Sequence, residues 1–120
     1  MKAGRLQASR GALAKLAGVS LPVKTAYRIA RLLKAVDAEL ALIGERQDVI
    51  VKKYGREVSG GNYELKPTDS NWTDFIRERS ELMDIDIPGI PDITILVSDL
   101  GDVSLEPGVL ADLDWLIVDP

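Results

Sequence analysis

The chain has 120 residues, of which 46% are hydrophobic and 28% charged, a balance typical of a folded globular domain and too apolar for a disordered one. It contains neither cysteine nor histidine, which excludes disulfides and thiolate chemistry and removes the commonest general base and metal ligand. We therefore expect one domain, residues 1–120, with a helical part (1–55) and a small α+β part (56–120). We expect no cofactor, no metal and, because no apolar run has membrane length, no membrane partner.

Charge is segregated along the chain, although the net charge is only −4. Residues 1–34 hold eight Lys or Arg and no Asp or Glu, whereas residues 81–120 hold ten Asp or Glu and no Lys or Arg. The two ends of the sequence are therefore candidate surfaces for opposite kinds of partner.

The first predicted element is a short helix, with Leu6, Leu13 and Leu16 at helical spacing and Gly18 as its end. A second helix of about 33 residues is predicted over 22–54, with Ser20 as its cap and Gly55 as its stop. At 1.5 Å per residue it is about 50 Å long, whereas a compact domain of this size is roughly 35 Å across. Part of the helix should therefore overhang the domain.

The long helix carries two apolar stripes. The first alternates spacings of four and three, which is the pattern of helix-on-helix packing and comprises Ile29, Leu33, Val36, Leu40, Ile43, Gln47, Ile50 and Tyr54. The second is narrower and comprises Ala35, Ala38, Leu42 and Val49. Two stripes indicate contact on two sides, so the predicted partner-binding residues are Ile29, Leu33, Val36, Leu40, Leu42, Ile43, Val49 and Ile50.

Short elements are predicted after Gly55. A β-hairpin turns at Ser59-Gly60-Gly61-Asn62, and a third helix covers about 71–83, capped by Asp69 or Ser70. Residues 85–97 alternate like an irregular edge strand with two prolines, and a last helix opens at 104–107 and reaches Ile117. The predicted fold class is α+β, mainly helical.

Several segments together resemble small, uncharacterised proteins of tailed phages and prophages. They are Leu21-Pro22-Val23-Lys24, Tyr54-Gly55, Gly61-Asn62-Tyr63 before Lys66-Pro67, and Leu105-Glu106-Pro107 leading to Leu113-Asp114-Trp115-Leu116-Ile117. The resemblance implies a phage origin and a location in the host cytoplasm or the virion. It implies no functional residues.

Two charged surfaces are candidate sites. Lys24, Arg28 and Arg31 lie opposite the first stripe and are positioned to contact the phosphates of a nucleic acid, although no aromatic residue interleaves with them to stack on bases. The acidic end offers a surface that mimics phosphates or meets a basic partner; its residues are Asp99, Asp102, Asp112, Asp114 and Asp119.

We expect no enzymatic activity, because any serine nucleophile lacks a histidine base and few aromatic residues are present to line a substrate cleft. The leading hypothesis is a phage protein that binds protein through the long helix, as a homo-oligomer or in virion or tail assembly. One alternative is an acidic inhibitor of a host defence or nucleic-acid enzyme. The other is direct nucleic-acid binding by the basic N-terminal helices.

Overall fold

The computed structural model describes residues 1–119 and shows a mainly helical α+β fold. Within these residues the elements are, in chain order, α1 (Ala3–Ala17), α2 (Val23–Tyr54), β1 (Arg56–Glu57), β2 (Tyr63–Glu64), α3 (Trp72–Met83), β3 (Ile95–Leu96), a 3₁₀ turn (Val97–Leu100), α4 (Pro107–Asp112) and β4 (Ile117–Val118). The predicted fold class is confirmed.

Helix α2 runs unbroken through Gly44 for 32 residues, as predicted. It begins after Pro22, and no side chain caps it, so the prediction of Ser20 as cap was wrong. It ends at Gly55, where a Cβ atom would lie 2.7 Å from the Val51 carbonyl oxygen, so that only glycine fits. The molecule measures 52 × 29 × 25 Å with a radius of gyration of 17.7 Å. A compact chain of this length would have a radius of about 14 Å, and the helix therefore elongates the molecule.

Helix α1 occupies the centre of the fold and packs against α2, α3 and α4. Its Leu6, Leu13 and Leu16 are fully buried. The main core joins α1 to the first half of α2 and to the C-terminal segment; its buried members include Ile29, Leu32, Val36, Ile95, Leu100, Val109, Leu113 and Leu116. Burial of this apolar surface is the dominant source of stability.

A buried serine joins α1 to the C-terminal segment. The Ser9 hydroxyl oxygen lies 2.8 Å from the Arg5 carbonyl oxygen and 3.1 Å from that of Asp112. It also accepts a hydrogen bond of 3.0 Å from the indole nitrogen of Trp115. Ser9 is the one polar side chain buried in α1, and its hydroxyl has hydrogen-bond partners both one helical turn earlier, at Arg5, and more than 100 residues later, at Asp112 and Trp115.

The C-terminal segment differs from its prediction. Helix α4 ends at Asp112, and Ile117–Val118 is instead a strand that pairs in parallel with Ile95–Leu96. The Ile95 backbone nitrogen donates a hydrogen bond of 2.9 Å to the Leu116 carbonyl oxygen, which draws the chain out of the helix. Of the predicted strand at 85–97 only this pair and an isolated bridge from Asp86 to Lys2 remain.

The hairpin and the third helix follow the sequence closely. Strands β1 and β2 are antiparallel, and Gly60 and Gly61 take the positive φ angles that the turn requires. Helix α3 begins after Asn71, whose side-chain amide donates to the Tyr54 carbonyl oxygen at the end of α2. Asp69 and Ser70 are thus not its caps, and the start of α3 is tied to the end of α2.

Leu116→Ala should lower the free energy of unfolding by about 2–5 kcal/mol, because it opens a cavity between α1 and the C-terminal segment. The matched control is Leu110→Ala in α4, where the side chain is 40% exposed and the loss should stay below about 1 kcal/mol. Urea unfolding followed by circular dichroism measures both. Equal losses would contradict the placement of Leu116 in the core.

Candidate functional site: a groove between α2 and α3

The first apolar stripe of α2 is largely an internal face. Ile29, Val36 and Ile43 are buried within the chain itself. Ile29 and Val36 pack in the main core with α1 and the C-terminal segment, whereas Ile43 packs with Ala3 of α1 and Leu82 of α3. Leu33, Leu40 and Ile50 are half-buried, whereas Leu32, which lies outside the predicted stripe, is fully buried. The prediction that Ile29, Val36 and Ile43 contact a partner is therefore corrected: they contact α1 and the rest of the core.

The second stripe stays open to solvent. Leu42 is 57% exposed and Val49 is 54% exposed. After Ile43 no residue of α2 is fully buried. This end of the helix packs mainly against α3 and the hairpin. Large apolar side chains are rarely left exposed in clusters unless something binds them.

These two side chains line a groove between α2 and the end of α3. Its larger part has a volume of about 440 Å³, and a smaller part of about 150 Å³ shares Arg46, Leu82 and Ile85 with it. On the α2 side, Leu42, Arg46, Val49 and Lys53 follow at spacings of four, three and four residues, so they lie along one face. The opposite wall consists of Glu78, Glu81, Leu82 and Ile85.

The floor and one wall of the groove are held by the chain itself. Ala3, Ile43 and Leu82 form a small buried cluster under it. Ile85 is 51% exposed, yet its carbonyl oxygen accepts a hydrogen bond of 2.8 Å from the Ala3 backbone nitrogen. A backbone hydrogen bond thus fixes the position of Ile85 while its side chain stays exposed, and this wall of the groove is preformed.

The rim of the groove carries both signs of charge. Lys53 donates a hydrogen bond of 2.6 Å to Glu78, and its ammonium lies 5.1 Å from the centre of the Tyr54 ring. The hydrogen bond to Glu78, followed by that to Tyr54, raises the pKa of Lys53 above its ordinary 10.5. The same bond from Lys53 lowers the pKa of Glu78 below its ordinary 4.5.

Arg46 lies in the middle of the groove without an acidic partner. None of the ion pairs within residues 1–119 includes it. An unpaired guanidinium between apolar side chains favours a ligand that combines apolar groups with a carboxylate.

The predicted phosphate contacts are only partly available. Arg28 is half-buried, and its guanidinium donates a hydrogen bond of 2.7 Å to the Thr94 carbonyl oxygen. Lys24 and Arg31 are exposed, and so is Lys34 on the same side of α2. The interpretation that no aromatic residue interleaves was wrong, because Tyr27 stands among these cations and is 65% exposed.

The predicted acidic surface is also divided. The Asp99 carboxylate accepts a hydrogen bond of 3.0 Å from the Leu96 backbone nitrogen, and Asp114 pairs with Arg5. Asp102, Asp112 and Asp119 remain exposed. Asp99 is therefore engaged by the 3₁₀ turn, and Asp114, although exposed, is already paired with Arg5, so both contribute less to an external acidic surface than predicted.

Segregated charges meet again in the folded chain. Lys2 lies between Asp84 and Asp86, and Lys15 lies 3.7 Å from Glu106, so that basic α1 faces the acidic C-terminal third. These are exposed pairs, each of which is worth little alone. Because these pairs neutralise basic residues in and next to α1, the basic residues in the first half of α2 are less neutralised than those of α1.

No family model matches the chain, and neither a curated protein nor a solved structure was found to resemble it. Within residues 1–119, no helix combines the length and the apolar character needed to cross a membrane.

Glu78→Gln should lower the midpoint of thermal unfolding at neutral pH, and the difference from the wild type should vanish in acid. A lowered glutamate pKa means that the charged form stabilises the fold above pH 4.5 and that this contribution is lost as the pH falls through the folded-state pKa. Thermal melts between pH 3 and pH 7 measure this. Glu81→Gln, on the same rim but outside every ion pair of residues 1–119, is the control and should show no such convergence.

Proposed function

We propose that this chain is a non-catalytic protein that works by binding another protein in the groove between α2 and α3. The observation that carries the proposal is the exposure of Leu42, Val49 and Ile85 along a groove whose floor is already buried and ordered. Binding a partner removes this apolar surface from water, at roughly 25 cal/mol for each Å² buried.

The dimensions of the groove favour an amphipathic helix as its occupant. From Leu42 to Lys53 the α2 wall extends about 16 Å, the length of three helical turns. A helix bound in such a groove inserts apolar side chains at spacings of three and four residues. Arg46, in the middle of the wall, favours a partner helix that also presents an Asp or Glu between its apolar anchors.

The setting of this interaction is proposed from the sequence. The resemblance to small proteins of tailed phages suggests virion or tail assembly, in which case the partner is another structural protein or a second copy of this chain. The elongated shape supports an assembly role, because the groove end of the rod extends away from the main core and is accessible from outside.

A photoreactive amino acid at Val49 should form cross-links to a partner protein in cells that produce the phage components. The matched control is the same residue at Val58, which is 53% exposed but lies outside the groove. Mass spectrometry of the products separates a second copy of the chain from a different protein. Cross-links of equal yield at the two positions, or none from position 49, would contradict the groove as the binding site.

Arg46→Glu should weaken the binding of the cross-linked partner by about tenfold or more, because it sets a negative charge against the carboxylate of the bound helix. Arg79→Glu is the control, since Arg79 is exposed, forms no ion pair within residues 1–119 and lies on the other side of α3. Calorimetry with the identified partner measures the affinity of both variants. An effect of Arg79→Glu as large as that of Arg46→Glu would point to net charge and against a local contact.

A further inference from the structure

The first half of α2 presents a second surface, which we call the basic face and which consists of Lys24, Tyr27, Arg31 and Lys34. These residues are spaced by three, four and three positions. At 100° per residue they fall within about 80° of the helix circumference. They lie on the side of α2 that faces away from its buried residues Ile29 and Leu32, and all four are exposed.

The cations of the basic face are not neutralised by the chain. None of the ion pairs within residues 1–119 uses Lys24, Arg31 or Lys34. Helix α1 differs, because there Arg5 pairs with Asp114 and Arg10 pairs with Asp37. In a chain with a net charge of −4, three unpaired cations over about 15 Å of one helix form a local site for an anion.

Tyr27 adds an exposed aromatic ring to the basic face. Its side chain is 65% exposed, and the neighbouring Val23 is 85% exposed. The ring is therefore free to stack on a flat partner, and it stands between cations that would hold the charged backbone of that partner. Basic groups combined with an aromatic platform are the arrangement by which proteins bind single-stranded nucleic acids.

We propose that the basic face binds single-stranded nucleic acid, with Lys24, Arg31 and Lys34 on the phosphates and one base stacked on Tyr27. A duplex fits less well, because its bases are already stacked on one another and closed to the ring. The length of the face matches a short site of about four nucleotides. Sequence-independent binding to nucleic acids typically has a dissociation constant of about 10⁻⁴ to 10⁻⁶ M at physiological salt, and the affinity rises as the salt concentration falls.

This binding goes beyond the proposed protein interaction and is separate from it in space. Arg31 and Val49 are 18 residues apart on α2, which corresponds to about 27 Å. The two surfaces can therefore be occupied together. A chain that holds a protein at one end of its rod and a nucleic-acid strand at the other would bring the two into proximity.

The first test titrates the purified full-length chain into a fluorescently labelled single-stranded oligonucleotide of about 20 nucleotides and follows anisotropy between 20 and 200 mM salt. Three phosphate contacts should give a slope of about −2 in the plot of log affinity against log salt. The variant K24Q/R31Q/K34Q should lose binding. The control K52Q/R77Q/R79Q removes the same charge from exposed positions outside both the basic face and the groove and should retain it.

The second test separates a nucleic acid from other polyanions. Tyr27→Ala should weaken binding of the oligonucleotide by about 5-fold to 100-fold through loss of stacking, while Tyr27→Phe should not. Polyphosphate, which has no bases, should bind more weakly than the oligonucleotide and show no dependence on Tyr27.

Three outcomes would overturn the inference: no anisotropy change at 20 mM salt, equal losses in the two triple variants, or equal binding of the oligonucleotide by the wild type and Tyr27→Ala. Circular dichroism of every variant confirms that the fold is retained, since all the substituted side chains are exposed. Cross-linking at Val49 is unaffected by these substitutions, so a failure here leaves the groove proposal to its own test.

Discussion

The burial of α1 among the other three helices is the constraint on which the rest of the structure depends. Helix α1 has only 15 residues and could not remain folded alone. Packed on three sides, it covers one stripe of α2, supplies Ala3 to the floor of the groove and receives the C-terminal segment around Ser9. Gly4 allows the start of α1 to pack closely against the end of α3, because a Cβ atom at this position would lie 3.3 Å from the Met83 carbonyl oxygen.

Charge segregation in the sequence becomes charge pairing in the fold. The acidic C-terminal third and basic α1 are distant in sequence and adjacent in space, as Lys2 with Asp84 and Lys15 with Glu106 show. Individual pairs contribute little to stability. Together they neutralise one side of the molecule. Helix α2 keeps an exposed basic surface near Arg31 and an exposed apolar surface near Val49.

Local signals in the sequence were sufficient to predict the long helix, the hairpin and α3, since periodicity and glycine positions determine them. Tertiary contacts determine what was missed. Ile117 forms a strand because Ile95 is beside it, and Leu32 is buried because the C-terminal core closes over a flank of α2. One wall of the groove comes from the helix periodicity of Leu42 and Val49, but the other depends on Ile85, which a backbone hydrogen bond from Ala3 fixes.

The parallel pairing of β3 with β4 has a consequence for how the chain is made. Leu6, Leu13 and Leu16 leave the ribosome about 100 residues before their core partners Leu113 and Leu116. During synthesis the nascent chain therefore carries a partly uncovered apolar core, and the parallel strand pair, which joins segments some 20 residues apart, closes among the last contacts. Apolar surface that stays exposed in this way favours aggregation until the C-terminal segment has packed against α1.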